Sequence, residues 1–182
     1  MLTEENLQDI FEVADLLSNG DRELFIKLKQ VVFASHPDDI LDYIENILDS
    51  LAFDEFLDKV GESEKDNLWL ILLTLLEHND YICVRDKKDR LRDFVHFFDR
   101  LQQVRNAGIS LKLDSVGLEA SGTIPEWASV IDGKVKAEGY CVGAIDRDEH
   151  SYTLFFAESA IFDRVSELAT KLGYPVQLAQ NC

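Results

Sequence analysis

The chain has 182 residues, with 35 acidic side chains against 18 basic ones and a formal net charge of −17. That length supports an ordinary hydrophobic core without disulfide or metal staples. A field of that sign repels phosphate backbones and anionic lipid surfaces, so no nucleic acid and no membrane is expected as a partner, whereas a basic protein is attracted.

The first third reads as helices. Thr3 suits a cap for a stripe of Leu7, Ile10, Phe11, Ala14 and Leu17, and Asn19-Gly20 stops the run. Leu24, Phe25, Leu28, Val31 and Val32 form a second stripe. Pro37 suits the first position of a third helix, and Asp38 and Asp39 favour its positive end. The apolar face of that helix is expected to run from Ile40 through Leu51. A shorter helix around Phe53, Phe56, Leu57 and Val60 ends at Gly61. Leu68 to Leu76, "LWLILLTLL", is apolar on nearly all sides, which predicts a central buried helix. It is too short to span a bilayer.

The period changes after Asn79. "YICVR", Tyr81 to Arg85, reads as a buried strand, and residues 87–104 then carry Leu91, Phe94, Val95, Phe98 and Leu101 at helical spacing. "ISLKL", Ile109 to Leu113, offers a short alternating strand, and Pro125 opens a helix over 125–139 that Gly133 weakens. "YCVGAI" and "SYTLFF" are strand-like runs separated by "DRDEH", Asp146 to His150, a polar gap of hairpin-loop length. Ile161, Phe162, Val165, Leu168 and Leu172 define a last helix ended by Gly173, and "PVQLA" adds an edge strand. The expected fold is α+β: a helical N-terminal layer packed on a mixed sheet of four to five strands. It is expected to be a single domain over 1–182, helical in 1–79 and α+β in 80–182.

The charge is unevenly placed. Residues 1–66 hold 18 acids and 5 bases, 67–107 hold 6 and 7, and 108–182 hold 11 and 6, so the acidity concentrates in the helical part. Its best-defined feature is a stripe of Asp38, Asp42, Glu45 and Asp49, spaced 4, 3 and 4, opposite the apolar face of the third helix. Like charges at those spacings repel by about 0.2–0.5 kcal/mol per pair, so the helix either presents a docking face or merely keeps the chain soluble. The loop residues Asp146, Asp148 and Glu149 extend the candidate binding set. As a metal site the loop lacks the glycine and distal glutamate of a calcium loop, and His36, His78 and His96 show no ligand spacing. It reads as a turn.

No nucleophile motif and no phosphate-binding glycine loop is present. The basic island "RDKKDRLR", Arg85 to Arg92, reads as the solvated face of a helix start. Cys83, Cys141 and Cys182 are odd in number and show neither disulfide nor zinc spacing. With an opening that lacks a basic region before an apolar run, they point to a reducing cytoplasm. No metal or cofactor is expected.

"LWLILLTLLEHNDYICVRDKKD", "IDRDEHSYTLFF" and "SELATKLGYPV" together resemble an uncharacterised bacterial family known only as a domain of unknown function, over about residues 67–182. The pattern departs at Lys87, where the family is expected to carry tryptophan. The resemblance implies no activity and transfers no functional residue. More loosely, a small acidic α+β protein is similar in type to immunity proteins and antitoxins, which cover the phosphate-binding surface of basic toxins with carboxylates. The expected function is therefore a non-enzymatic, immunity- or inhibitor-type binding protein for a basic partner. The alternative is a small metal-dependent hydrolase using Asp146, Asp148 and scattered carboxylates.

Overall fold

The structure, a computed structural model, describes residues 2–34, 36–145 and 148–182. The chain divides into two compact units, Met1–Asn79 and Asp80–Cys182.

In the first unit, α1 (Glu4–Leu17) is capped by the Thr3 hydroxyl, which accepts from the Asn6 amide, and ends where Asn19 and Gly20 turn to positive φ. Helix α2 (Arg22–Val32) starts from an Asp21 cap and packs its Leu24, Leu28 and Val31 inward. Helix α5 (Glu64–His78) is buried without interruption from Leu68 to Leu76 and packs against α1 and α2, as its all-round apolarity demands. Its one buried hydroxyl, Thr74, donates to the Leu70 carbonyl at 2.8 Å and so leaves no unpaired group in the apolar run.

The third helix is shorter than its apolar spacing implies. Helix α3 (Pro37–Ile47) stops at Leu48, whose ψ of 149° is extended, and α4 (Ser50–Lys59) begins at an Asp49 cap. The side chain of Asp49 accepts from the Ala52 amide at 2.8 Å. Leu51, expected on the α3 face, sits in the first turn of α4 and is 70% exposed. A cap residue in the middle of a continuous apolar spacing restarts the helix and rotates the residues beyond it onto a new face.

The second unit is built on four strands, β1 (Cys83–Asp86), β2 (Tyr140–Ile145), β3 (Ser151–Glu158) and β4 (Val176–Leu178), in the order β1-β3-β2-β4. All three ladders are antiparallel, so the sheet expected to be mixed is antiparallel throughout the described strands. The hairpin runs in register from Tyr140 opposite Glu158 to Ile145 opposite Thr153. No strand forms at 109–113, because that segment folds as turns held by the helix beside it. The long helix expected over 87–104 divides into α6 (Leu91–Phe98) and α7 (Gln102–Asn106), with Leu101 extended between them. Helix α8 (Ile124–Val135) opens with a capping box in which Glu126 bonds back to the Thr123 amide at 2.7 Å, and it keeps Gly133 as an exposed helical residue.

Both faces of the sheet are covered, which is why its central strands read as apolar runs rather than alternating ones. Val142, Ala144, Leu154 and Phe156 share one core with Phe94, Phe98, Trp127 and Ile131. In that core a chain of rings runs Trp127–Phe94 (5.3 Å), Phe94–Phe98 (5.5 Å), Phe98–Phe156 (5.9 Å) and Phe156–Tyr140 (5.0 Å). On the other face α9 (Ser159–Leu172) packs on β2, β3 and β4, with Phe162 stacked 6.1 Å from Phe155. Asp132 on α8 ties the layers together, accepting from the Val142 amide of β2 at 2.8 Å and from Gln180 Nε2 at 3.0 Å.

Two glycines give opposite predictions. A methyl group at Gly143 would run into the ring of Phe155, its partner across the ladder, whereas one at Gly133 meets nothing within 4 Å. Gly143→Ala is expected to lower the unfolding free energy by about 1–3 kcal/mol, and Gly133→Ala to raise it by about 0.5–1 kcal/mol, both read by urea denaturation. Asp132 supplies a pH prediction, because its carboxyl is pushed up by burial against the opposing pull of its two hydrogen bonds. The folded state therefore holds that proton more tightly than the unfolded chain, and this group's contribution to stability falls as pH rises through the upper carboxylate range. The stability of the wild type relative to Asp132→Asn should decline across that window, and a flat difference from pH 4 to 7 would contradict it.

Candidate functional site

The residues singled out in the sequence fall in two places. Asp38, Asp42 and Glu45 share the exposed side of α3. Asp49 does not join them, because its carboxylate is committed to the α4 cap. Asp148 and Glu149 are exposed on the β2–β3 hairpin of the other unit, and Asp146 lies outside the described residues. The Asp148 carboxylate shapes the turn: it accepts from the His150 and Ser151 amides at 2.8 Å each and from the Ser151 hydroxyl at 2.7 Å. Among the described residues, no group of three or more His, Cys, Asp and Glu side chains is placed to hold a metal ion. Burial, with the Asp132 carboxylate as the next contributor, pushes the Cys141 thiol up to about 11, so that cysteine stays protonated and inert.

The basic island is also structural where it is buried. The guanidinium of Arg85 bonds to Asp89, with Nη2 2.8 Å from Oδ1, and lies 3.8 Å above the Phe97 ring. The amide of Lys87 donates to the His150 carbonyl, joining the end of β1 to the hairpin.

A second feature emerges only in three dimensions. Beside α6 lies an open groove of about 730 Å³, lined by Leu91, Arg92, Val95, His96, Asp99 and Arg100 of the helix side and by Leu111, Lys112, Ser115 and Ala120 of the loop beyond α7. Phe94 and Phe98 are fully buried beneath, so the four-residue spacing of Arg92, His96 and Arg100 becomes a row of bases along the groove. Leu91 and Val95 run parallel to that row and are only half-buried. Asp99 holds the near end of the facing loop, while Trp127 Nε1 donates to the Glu119 carbonyl at 2.7 Å and Lys134 Nζ to the Asp114 carbonyl at 3.3 Å further along. Asp99 accepts from the Leu111 amide at 2.7 Å, the Lys112 amide at 3.0 Å and the Ser110 hydroxyl at 3.3 Å. The loop exposes Leu113 (88%) and Val116 (78%). A smaller hollow of about 300 Å³ is lined in part by the Lys134–Asp114 pair, 3.0 Å apart, and Lys134 holds the Asp114 carboxyl below its ordinary range.

The unit boundary is also an electrostatic one. Residues 1–79 carry 19 acids and 5 bases, whereas 80–182 carry 16 and 13. The groove is hidden in the sequence because residues 109–113 alternate as a strand would. The row of Arg92, His96 and Arg100 beside Leu91 and Val95 is the signal the sequence does carry.

The model of the family described as "Domain of unknown function (DUF6630)" matches residues 9–179, and the chain belongs to that family. The match takes in most of the helical part as well as the region from residue 67 onward. Neither a comparison with curated proteins nor one with solved structures finds a match.

Because the Asp99 carboxylate accepts from the Leu111 and Lys112 amides, Asp99→Ala should loosen that part of the loop. The expected cost is about 1–3 kcal/mol of stability, with faster hydrogen exchange at the Leu111 and Lys112 amides in particular. Unchanged protection at those two amides would show that the loop is held by something else.

Proposed function

We propose that the protein is a non-catalytic binding protein, of the immunity or inhibitor type, whose acidic N-terminal unit takes a basic protein partner. The observation that carries this reading is the combination of exposed acids and exposed large apolar side chains in one unit. Asp38, Asp42 and Glu45 line the outer side of α3, while Phe33 and Leu51 are 68% and 70% exposed and Leu57 and Val60 are each 40% exposed. Apolar anchors with surrounding charge are what a specific interface uses, the first for affinity and the second for steering. The competing reading, a metal-dependent hydrolase built on Asp146 and Asp148, is disfavoured by Asp148, whose carboxylate already accepts from three donors of its own turn. The setting proposed is a bacterial cytoplasm. The buried, reduced thiols of Cys83 and Cys141 suit a reducing compartment, and no helix among the described residues is long and apolar enough to cross a membrane.

The test is stopped-flow association with a candidate basic toxin, measured with and without added salt. Replacing Asp38 and Asp42 with asparagine and Glu45 with glutamine removes the three charges of the α3 face and leaves the Asp49 cap of α4 in place. The on-rate should fall at least tenfold, about 1.4 kcal/mol, with the fold intact. Added salt should slow the wild type by a similar mechanism, since exposed charges are screened beyond about 8 Å at physiological ionic strength. Association that ignores both the substitutions and the salt would leave the acidic face as a solubilising surface.

A further inference from the structure

We propose that the groove beside α6 binds a small amphiphilic anion, of which a single-chain acyl carboxylate is the simplest member. The site lies in the second unit and its charge preference is opposite to that of α3, so the inference stands independently of the acidic docking face.

Shape comes first. At about 730 Å³ the groove falls within the range of about 300–1,000 Å³ typical of small-molecule sites. Its floor is apolar, formed by Leu91, Val95 and Leu111, and water covering such a floor is displaced favourably by a hydrocarbon chain.

Charge then selects the ligand. The row of Arg92, His96 and Arg100 borders the floor on one side, and Lys112 lies on the facing loop. The acids nearby offset this only in part. Asp99 is the one acid among the lining residues, against Arg92, Arg100 and Lys112, and the two amides and hydroxyl it accepts from are aimed at its charge. Asp93 approaches Arg92 only to 3.9 Å, and Asp80 approaches Arg100 to 3.4 Å, in solvent-exposed pairs. Such pairs are worth about 0–1 kcal/mol, and the further contact of Arg100, 5.7 Å from the Phe97 ring centroid, is of similar size at an exposed site, so an incoming carboxylate competes with weak surface contacts only. Lys112 forms no ion pair among the described residues. In a chain of net charge −17, a local excess of base over an apolar floor is the opposite of what a merely solubilising surface would place there.

The experiment uses the full chain with 1-anilinonaphthalene-8-sulfonate as a fluorescent reporter. Decanoate, decanol and decyltrimethylammonium serve as competitors, all below their micellar concentrations. Decanoate is expected to displace the reporter at one site per chain. Decyltrimethylammonium, which the net charge attracts, is expected to displace it at least tenfold less well, with decanol between them. Reversing Arg92, Arg100 and Lys112 to glutamate changes exposed positions only and should weaken decanoate at least tenfold. Ala120→Trp, which narrows the groove without altering charge, should weaken decanoate and decanol together. Substituting the α3 acids should change neither. Equal displacement by the anion and the cation would overturn the proposal, as would charge reversal without effect. Tight binding of an acidic amphipathic peptide in the absence of decanoate binding would also overturn it, by assigning the groove to a protein partner.

Discussion

Phe94 and Phe98, four residues apart on α6, are fully buried between Trp127 and Phe156. That seat fixes the rotation of an eight-residue helix which, at that length, has little stability of its own. With one face committed to the rings, Leu91 and Val95 can only reach the edge of the core. Arg92, His96 and Arg100 are left to line the outside. The groove is therefore a consequence of how the aromatic chain is packed, and its far wall is tied to the end of the same helix through Asp99 and to α8 through Trp127 and Lys134. Loosening the rings would move the bases, the apolar floor and the loop together.

The second organising constraint is charge. An acidic excess spread evenly over a surface would simply keep molecules apart, but here it is sorted by unit, 19 acids to 5 bases in one and 16 to 13 in the other. Long-range steering is set by the net field, whereas a ligand within a groove responds to the charges that line it, because screening removes the rest over about 8 Å. One chain can therefore attract a basic protein at distance and still prefer an anion locally. The acids that repel one another on α3 and the bases that line α6 are not in conflict.

Much of the fold is legible in the sequence because its signals are local. Thr3, Asn19-Gly20 and Pro37 mark helix ends by backbone chemistry that tertiary structure does not override, and the unbroken apolar run of α5 has only one physical home. The hairpin is equally plain, since two apolar runs flank a loop rich in turn-forming residues. The departures occur where a short contact outvotes a pattern. Asp49 has the spacing of a last member of a helical stripe, yet its value as a cap for Ala52 is greater than its place in that spacing. "ISLKL" alternates as a strand should, but it lies so close behind α7 that Asp99 captures its amides before any ladder can. The groove is illegible for the same reason, because it lies between a helix face that the sequence declares and a loop that it does not. The Asp148 turn is the converse case, in which one carboxylate of a ligand-like run accepts the hydrogen bonds that close a corner.

Within one strongly acidic chain, the exposed acids of α3 and the bases lining the groove beside α6 should set local potentials of opposite sign. Residue-by-residue relaxation by small cationic and anionic nitroxide probes, read at the backbone amides by NMR, tests it most directly. The anionic probe should be enriched around Arg92–Arg100 and Lys112, and the cationic probe around Asp38–Glu45. A uniform preference for the cationic probe along both segments would contradict the account.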